Sequence, residues 1–223
     1  MTEARRKRGD VTRERLMRAA ELLIAQDGIE NVTVRAIVSE AEQKNESALQ
    51  YHFQNRDGLL DAIHQQRNSE VRALRETLLQ PYLEGQEPDL RDICRLMVMP
   101  SYTLARKDKG FRHYVRGFGA RITQSSRPVQ MVFDNASSAG VTFLLDHLHR
   151  LVGDMPEALF LSRLESTLRF IALTMSHQAG PSGGFGGDAG ERFIANLQDT
   201  MVGIMSAPVS SETAKLYSAA INS

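Results

Sequence analysis

The chain has 223 residues, enough for one large domain or for a small domain followed by a larger one. Hydrophobic residues make up 42% and charged residues 24% of the sequence, and the formal net charge is zero, so the bulk charge does not indicate a nucleic-acid partner. The single cysteine excludes a disulfide framework within the chain, and no apolar run approaches the length of a membrane span, so we expect a cytoplasmic protein with no membrane partner.

Positive charge is concentrated at the N-terminus, within residues 1–10. We interpret this segment as a basic arm that attracts DNA phosphates; the alternative, the commoner fate of a charge run, is a solvated tail. From Thr12 to Asp27, apolar residues recur at helical spacing, and Gly28 then predicts the end of a helix.

Three further helices are predicted before a long second unit. Thr33 is suited to cap a short helix, a polar turn follows over residues 41–44, and Asn45 can cap a second short helix. Asn55 then caps a long helix that we expect to end near Pro81.

The second short helix sets three rings side by side, in Tyr51, His52 and Phe53. Leu49 and Phe53 fill its apolar side, which predicts that Gln50, Tyr51 and His52 point outward. Two short helices joined by a tight turn after a packing helix outline a helix-turn-helix, whose second helix enters the major groove of DNA. The alternative is that Tyr51 and His52 are core residues, the usual fate of aromatic side chains.

Beyond residue 88 the sequence predicts a larger helical unit without useful strand alternation. A glycine-rich segment, residues 179–190, is predicted to be a flexible loop. Helical periodicity covers Asp89–Arg106, Gly110–Gln124, Val129–Val152, Glu157–His177 and Ala189–Met205.

The segment ERLMRAAELLIAQDGIENV, followed by TVRAIVSEA and NESALQYHFQNRDGLLDAI, resembles the TetR/AcrR-type bacterial transcriptional regulators. The resemblance covers roughly the first third of the chain. It implies an all-α homodimer with an N-terminal helix-turn-helix and a C-terminal domain that binds a small molecule. On this basis we predict a DNA-binding domain over residues 1–55, a connecting helix over 56–80, and a helical effector-binding and dimerisation domain over 81–223.

The helix-turn-helix geometry and the resemblance together select the candidate DNA-binding residues. Gln50 is the preferred base-reading residue because its amide can bond adenine in a bidentate manner. By resemblance, Arg56 stands where the family often has a lysine beside the DNA backbone. The turn departs from the common Gly-Val-Ser pattern: it is one residue longer between Ala41 and Leu49. The candidates are Arg5, Arg6, Lys7, Arg8, Thr33, Arg35, Lys44, Asn45, Ser47, Gln50, Tyr51, His52 and Arg56.

The last two long predicted helices carry apolar residues at alternating spacings of three and four. We predict that they form a four-helix bundle across a two-fold axis, which would hold paired recognition helices about 34–36 Å apart on a palindromic operator. The alternative is that both helices belong to the core of a monomer. The candidate dimer residues are Leu161, Leu164, Leu168, Ile171, Met175, Phe193, Leu197, Met201 and Ile204.

The middle helices concentrate methionine and aromatic side chains. This predicts an apolar cavity for a small hydrophobic or amphipathic effector, in which His113, Arg116 or Arg121 would hold an acid group. The alternative, more common for such a set, is simple core packing. The candidate ligand-binding residues are Met97, Tyr102, Phe111, His113, Tyr114, Arg116, Phe118, Phe133 and Phe143.

The sequence contains no pattern typical of a metal, cofactor or catalytic centre, since zinc-protease, nucleophile-elbow and phosphate-loop motifs are all missing. We therefore expect a DNA-binding regulator, a repressor released from its operator by a small molecule. One alternative is an architectural or division-associated DNA-binding protein of the same fold that needs no effector. The other is a helical-bundle enzyme, which would require convergent polar groups with shifted pKa values.

Overall fold

A computed structural model describes residues 3–133, 139–180 and 183–219, and for residues 3–8, 218 and 219 it describes the backbone alone. Within these residues the chain forms eleven α-helices and no strand, which confirms the predicted all-α class. No helix in this part of the chain is long and apolar enough to cross a membrane. The helices are α1 (Glu3–Asp27), α2 (Val34–Glu40), α3 (Ser47–Phe53), α4 (Arg56–Leu83), α5 (Leu90–Lys107), α6 (Lys109–Gln124), α7 (Pro128–Val132), α8 (Ala139–Val152), α9 (Glu157–Gln178), α10 (Gly187–Ser206) and α11 (Ser211–Ala219).

Two predicted helix caps in the N-terminal bundle are confirmed. The Thr33 hydroxyl accepts a hydrogen bond from the Ala36 N–H at 3.2 Å, at the start of α2. The Asn55 side chain accepts one from the Gly58 N–H at 2.8 Å, at the start of α4. Each bond satisfies a backbone donor that has no partner inside its helix.

Three other boundaries differ from the prediction. α1 begins at Glu3 instead of Thr12, so the basic segment extends this helix and does not form a separate arm. Asn45 does not cap α3; its side-chain oxygen accepts a hydrogen bond from the Ser47 hydroxyl, and the capping position belongs to Glu46. α4 continues through Pro81 to Leu83, although the proline has no N–H to donate to the Thr77 carbonyl one turn earlier.

The predicted helix over Val129–Val152 was wrong, because this segment contains two helices. The short α7 ends at Val132, α8 begins at Ala139, and residues 134–138 lie outside the described part of the chain. α11 was not predicted.

The glycine-rich segment is anchored where the structure describes it. Phe185 is only 3% exposed, and the Tyr102 hydroxyl of α5 donates a hydrogen bond to the Phe185 carbonyl at 3.0 Å. A Cβ at Gly190 would lie 2.5 Å from the Phe185 carbonyl carbon, so glycine is required for this close approach. The predicted flexible loop is therefore shorter than residues 179–190, and α10 already begins at Gly187.

The central element is α6, which lies between the N-terminal bundle and α9. On one side, a Cβ at Gly117 would lie 2.6 Å from Cγ2 of Ile24 in α1. On the other side, a Cβ at Gly119 would lie 2.8 Å from Cβ of Ser176 in α9. These two glycines let α6 pack closely against both neighbours, so a displacement of α6 must be felt by α1 and by α9.

Candidate nucleic-acid interface and ligand cavity

The α3 helix turns one side to the core and the other to solvent. Leu49 and Phe53 are buried, whereas Tyr51 is 74% exposed and Gln50 is also exposed. The outward orientation predicted for Tyr51 is therefore confirmed. His52 is half-buried, and burial together with the charge of Arg13 lowers the pKa of its imidazole.

The turn before α3 is closed by two backbone hydrogen bonds. The Glu42 N–H donates to the Ser39 carbonyl at 3.0 Å, and the Gln43 N–H donates to the Val38 carbonyl at 2.9 Å, as in a Schellman motif. Glu42 has a φ of 55°, in the left-handed region that favours glycine. A side chain at this position costs about 1–2 kcal/mol relative to the right-handed conformation. Backbone geometry in this turn thus decides the direction in which α3 leaves α2.

A second tight turn follows α3. Gln54 has a φ of 67°, and the Asn55 N–H donates to the Phe53 carbonyl at 2.8 Å, which defines a γ-turn. A Cβ at Gly58 would lie 2.1 Å from the Phe53 carbonyl oxygen. The glycine therefore allows the first turn of α4 to pack directly against the end of α3.

Arg56, which the resemblance places beside the DNA backbone, makes hydrogen bonds within its own chain. Its Nε donates to the Val32 carbonyl at 3.0 Å, and its Nη2 donates to the Ile29 carbonyl. Two of its three nitrogens are thus engaged in the loop between α1 and α2. We assign Arg56 a role in holding this loop.

The remaining candidates lie on adjacent elements. Thr33 and Arg35 are exposed at the start of α2, and Lys44 and Asn45 are exposed in the turn. We call the exposed side chains of Arg35, Lys44, Ser47, Gln50 and Tyr51 the recognition face. The side chains of the basic N-terminal residues lie outside the described part of the chain: Arg5, Arg6, Lys7 and Arg8.

A cavity of about 90 Å³ lies among α4, α5, α6, α7 and α9. Since one buried water needs roughly 15 Å³, this space can hold a small molecule. Most of its wall is apolar, and four of the predicted ligand-binding residues contribute to it: Met97, Phe111, Tyr114 and Phe118.

The other five predicted ligand-binding residues do not line the cavity. Tyr102 holds the glycine-rich segment, and Phe143 stacks on His147 with the ring centres 3.9 Å apart. His113 and Arg116 lie on other sides of α6, and Phe133 is buried beneath an arginine of α4. Three polar side chains of the cavity wall come from α4, whose residues the prediction left out: His64, Asn68 and Arg75.

One end of the cavity is closed by a hydrogen-bonded group. Nδ1 of His64 forms a hydrogen bond with the Tyr114 hydroxyl at 2.9 Å, and its Nε2 lies 3.2 Å from the Met131 carbonyl and 3.0 Å from Nδ2 of Asn68. Asn68 also donates to the Met131 carbonyl, at 3.4 Å. Burial raises the pKa of Tyr114 above its usual value, so the phenol stays protonated. The polar groups at this end of the cavity therefore already have hydrogen-bond partners within the protein.

The other end of the cavity contains Arg75, which is 4% exposed. Its Nε donates to the Leu96 carbonyl at 3.3 Å. That carbonyl has lost its helical partner because Pro100, four residues later in α5, has no N–H. Cζ of Arg75 lies 5.4 Å from the centre of the Phe133 ring. The sequence held one signal for this burial: Arg75 lies four residues from both Val71 and Leu79, on the apolar stripe of α4.

A second buried arginine joins the two halves of the molecule. Nε and Nη2 of Arg67 donate to the Glu21 carboxylate of α1 at 2.7 and 2.8 Å. Its Nη1 donates to Glu70 at 2.8 Å and to Asp108 at 3.1 Å. Burial raises the pKa of Glu21. Burial by itself would lower the pKa of Arg67, but the hydrogen bonds to Glu21 outweigh it and raise that pKa. Because Asp108 also caps α6, this cluster ties α1, α4 and α6 together.

Most of the predicted dimer residues lie in the core of the chain itself. α9 and α10 pack against each other and against α5 and α6, and this packing buries Leu164, Leu168, Met175, Leu197 and Met201. These five side chains are therefore part of the core of the chain itself. Ile171, Phe193 and Ile204 are half-buried, and Leu161 is exposed. Leu173 of α9, which the prediction omitted, is 62% exposed.

Comparison with known proteins bears on the N-terminal part of the chain. Residues 16–63 match the family model described as bacterial regulatory proteins, tetR family. The matched segment runs from the middle of α1 through α2 and α3 into α4, and so contains the whole helix-turn-helix. No curated protein matches the chain.

Proposed function

The chain is a DNA-binding transcriptional regulator with the tetR-family domain at residues 16–63, and from this premise we propose that it is a repressor released by a small molecule. In this proposal a homodimer binds a palindromic operator and leaves it when the cavity is occupied. The outward face of α3 carries the proposal, since Gln50 and Tyr51 are exposed while Leu49 and Phe53 hold the helix to the core. The site of action is the cytoplasm, where the DNA of a bacterium lies.

Each exposed group of the recognition face has a distinct task. The Gln50 amide reads a base edge in the major groove, preferably adenine. Tyr51 and Lys44 donate to phosphate oxygens, and these contacts position the helix without reading sequence. Glu42 and Glu46 are also exposed in the turn and oppose nearby phosphates, so affinity depends on the dimer engaging two half-sites.

Selection of bound duplexes from a random pool tests this proposal. At near-physiological salt we expect a palindrome whose half-site centres are about 34–36 Å apart. Gln50→Ala should relax base preference at one position in each half-site, whereas Tyr51→Phe should weaken binding to all sequences alike. Glu212→Gln, in the exposed first turn of α11, is the control and should change neither. Recovery of no motif, with binding that disappears as salt rises, would contradict the proposal.

We place the two-fold interface on the sides of α9 and α10 that the chain leaves open. Leu161 and Leu173 are 43% and 62% exposed, and Ile204 is half-buried. Leu173→Glu should therefore weaken dimerisation in sedimentation experiments, and operator affinity should fall with it. Leu216 is 67% exposed on α11, so Leu216→Glu is a matched control that should leave both unchanged.

Release would act through α6. Tyr114 and Phe118 of α6 line the cavity, and Gly117 on the same helix contacts Ile24 of α1. A ligand that favours a different position of α6 thereby favours a different position of α1 and of the recognition helix. Ligand and DNA must then weaken each other's binding by the same factor. The apolar cavity supports this proposal over an architectural role without an effector, and we propose no reaction for it.

A further inference from the structure

Arg75 is a buried cation that faces the cavity without an anionic partner. Among the described residues its direct contacts are the hydrogen bond from Nε to the Leu96 carbonyl and the contact with the Phe133 ring, and the Glu76 carboxylate acts on its charge only from beyond ion-pair distance. Nη1 and Nη2 donate to no described acceptor, and no described carboxylate pairs with the guanidinium. Burial lowers the pKa of Arg75 to about 10, so the side chain remains charged at neutral pH.

The contrast with Arg67 shows how unusual this arrangement is. Arg67 lies two helical turns earlier on the same buried stripe of α4, and three carboxylates surround it. A buried charge without a counter-ion is costly, and proteins ordinarily avoid it by pairing. At Arg75 the part of the chain that the structure describes supplies one carbonyl and one aromatic face as direct contacts, and the space beside the guanidinium is the cavity.

The shape of the cavity restricts what can pair with Arg75. His64 and Arg75 lie eleven residues apart on α4, about 16 Å along the axis, and they mark its two polar ends. The His64 end is occupied by its own hydrogen bonds to Tyr114 and Met131. Between the ends the wall is mainly apolar, with Phe118 and Leu168 among its residues. A ligand that fits therefore has one anionic end and an apolar body.

We propose that the cavity binds a small monocarboxylic acid, whose carboxylate accepts hydrogen bonds from Nη1 and Nη2 of Arg75 and whose apolar body lies along α6 and α9. The planar fork of a guanidinium matches the two oxygens of a carboxylate. A single cation in a space of about 90 Å³ favours a small ligand with one negative charge. This inference rests on the proposed function, because it names the chemical class of the effector.

The test is calorimetric titration of the full chain with benzoate, hexanoate and octanoate, each beside its neutral amide. An acid and its amide have nearly the same shape, so the difference isolates the charge. A charge-assisted hydrogen bond corresponds to about a 10- to 100-fold gain in affinity, and we expect at least one acid to show it over its amide. In Arg75→Met this preference should disappear, while amide binding persists and shows that the cavity is intact. Arg116→Met, on α6 but outside the cavity wall, is the matched control and should keep the preference.

Two outcomes overturn the inference: no acid binds more tightly than its amide, or the preference survives in Arg75→Met. Competition with the selected operator separates this result from the proposed function. If an acid binds through Arg75 without displacing the operator, the proposed release is wrong while the ligand class stands. If the protein binds a palindrome but shows no preference for acids, the regulator stands and the ligand class is wrong.

Discussion

Replacing Glu21 by methionine would leave the Arg67 guanidinium buried with fewer acceptors. The two side chains are only 3% and 9% exposed, so water cannot replace the lost carboxylate. Glu70 and Asp108 still contact Nη1, but they are 32% and 44% exposed, and they compensate only in part. The reverse change, Arg67→Met, would leave Glu21 buried without any cation.

Breaking a buried pair by removing one partner costs about 3–5 kcal/mol. With the help of Glu70 and Asp108, we expect Glu21→Met to lower the free energy of unfolding by about 2–4 kcal/mol, and Arg67→Met by the full 3–5 kcal/mol. Removing both charges together should bring the protein within about 1 kcal/mol of the wild type, because two apolar side chains of similar size then pack in their place. Additive single effects would amount to at least about 5 kcal/mol, so the coupling in the double-mutant cycle should be at least about 4 kcal/mol.

Urea unfolding at pH 7 and at one fixed protein concentration measures all four proteins. The exposed pair Glu14–Arg18, with side chains 56% and 68% exposed, provides a matched cycle whose coupling should not exceed about 0.5 kcal/mol. The reasoning is refuted if the double variant loses as much free energy of unfolding as the two single variants together, to within about 0.5 kcal/mol. If the pair also transmits ligand binding to α1, the double variant should fold and bind DNA but respond less to ligand.

Three further changes test local geometry. Gly58→Ala would place a Cβ 2.1 Å from the Phe53 carbonyl oxygen, so the thermal unfolding midpoint should fall sharply, by more than for alanine at an ordinary helical glycine. Glu42→Gly should raise the free energy of unfolding by about 0.5–1 kcal/mol, because it removes the strain of the left-handed conformation but adds conformational entropy to the unfolded chain. Glu42→Ala keeps the strain and should not raise the free energy of unfolding. Burial opposes the charge of Asp108, but the hydrogen bond from the Gly110 N–H and the nearby Arg67 lower its pKa below the usual 3.8. The ionised Asp108 therefore stabilises the folded protein fully above pH 3.8, and this contribution is lost as the pH falls through the lowered pKa. Asp108→Asn keeps the helix cap and should flatten this acid-side loss in pH-dependent unfolding; an unchanged slope would contradict the assignment.

The N-terminal domain could be predicted because its signals are local. The caps at Thr33 and Asn55 and the apolar side of α3 each depend on residues a few positions apart. Asn45 failed as a cap for an equally local reason, since the Ser47 hydroxyl occupies its side-chain oxygen. Nothing in the sequence favours that hydrogen bond over the cap, which Asn makes more often.

The C-terminal domain shows where periodicity stops being informative. Leu164 and Leu168 have the spacing that a dimer interface requires, yet they are buried within their own chain. A helix presents the same apolar pattern whether its neighbour belongs to the same chain or to another. The same ambiguity explains why Tyr102 and Phe143 were predicted to line the pocket. Tyr102 instead donates a hydrogen bond to the Phe185 carbonyl, and Phe143 stacks on His147.

The two buried arginines of α4 connect these observations. Arg67 and Arg75 occupy positions on one helical stripe that apolar residues normally fill, and they lie about 12 Å apart along the axis. Arg67 is neutralised by carboxylates that include Glu21 of the DNA-binding domain, whereas Arg75 faces a cavity bordered by α6. An anion beside Arg75 would remove the cost of the unpaired charge and would press on the helix whose first turn Asp108 ties to Arg67. α4 thus carries both the arginine that we propose to bind the ligand and the arginine that holds α1, so a change at one of these sites can affect the other.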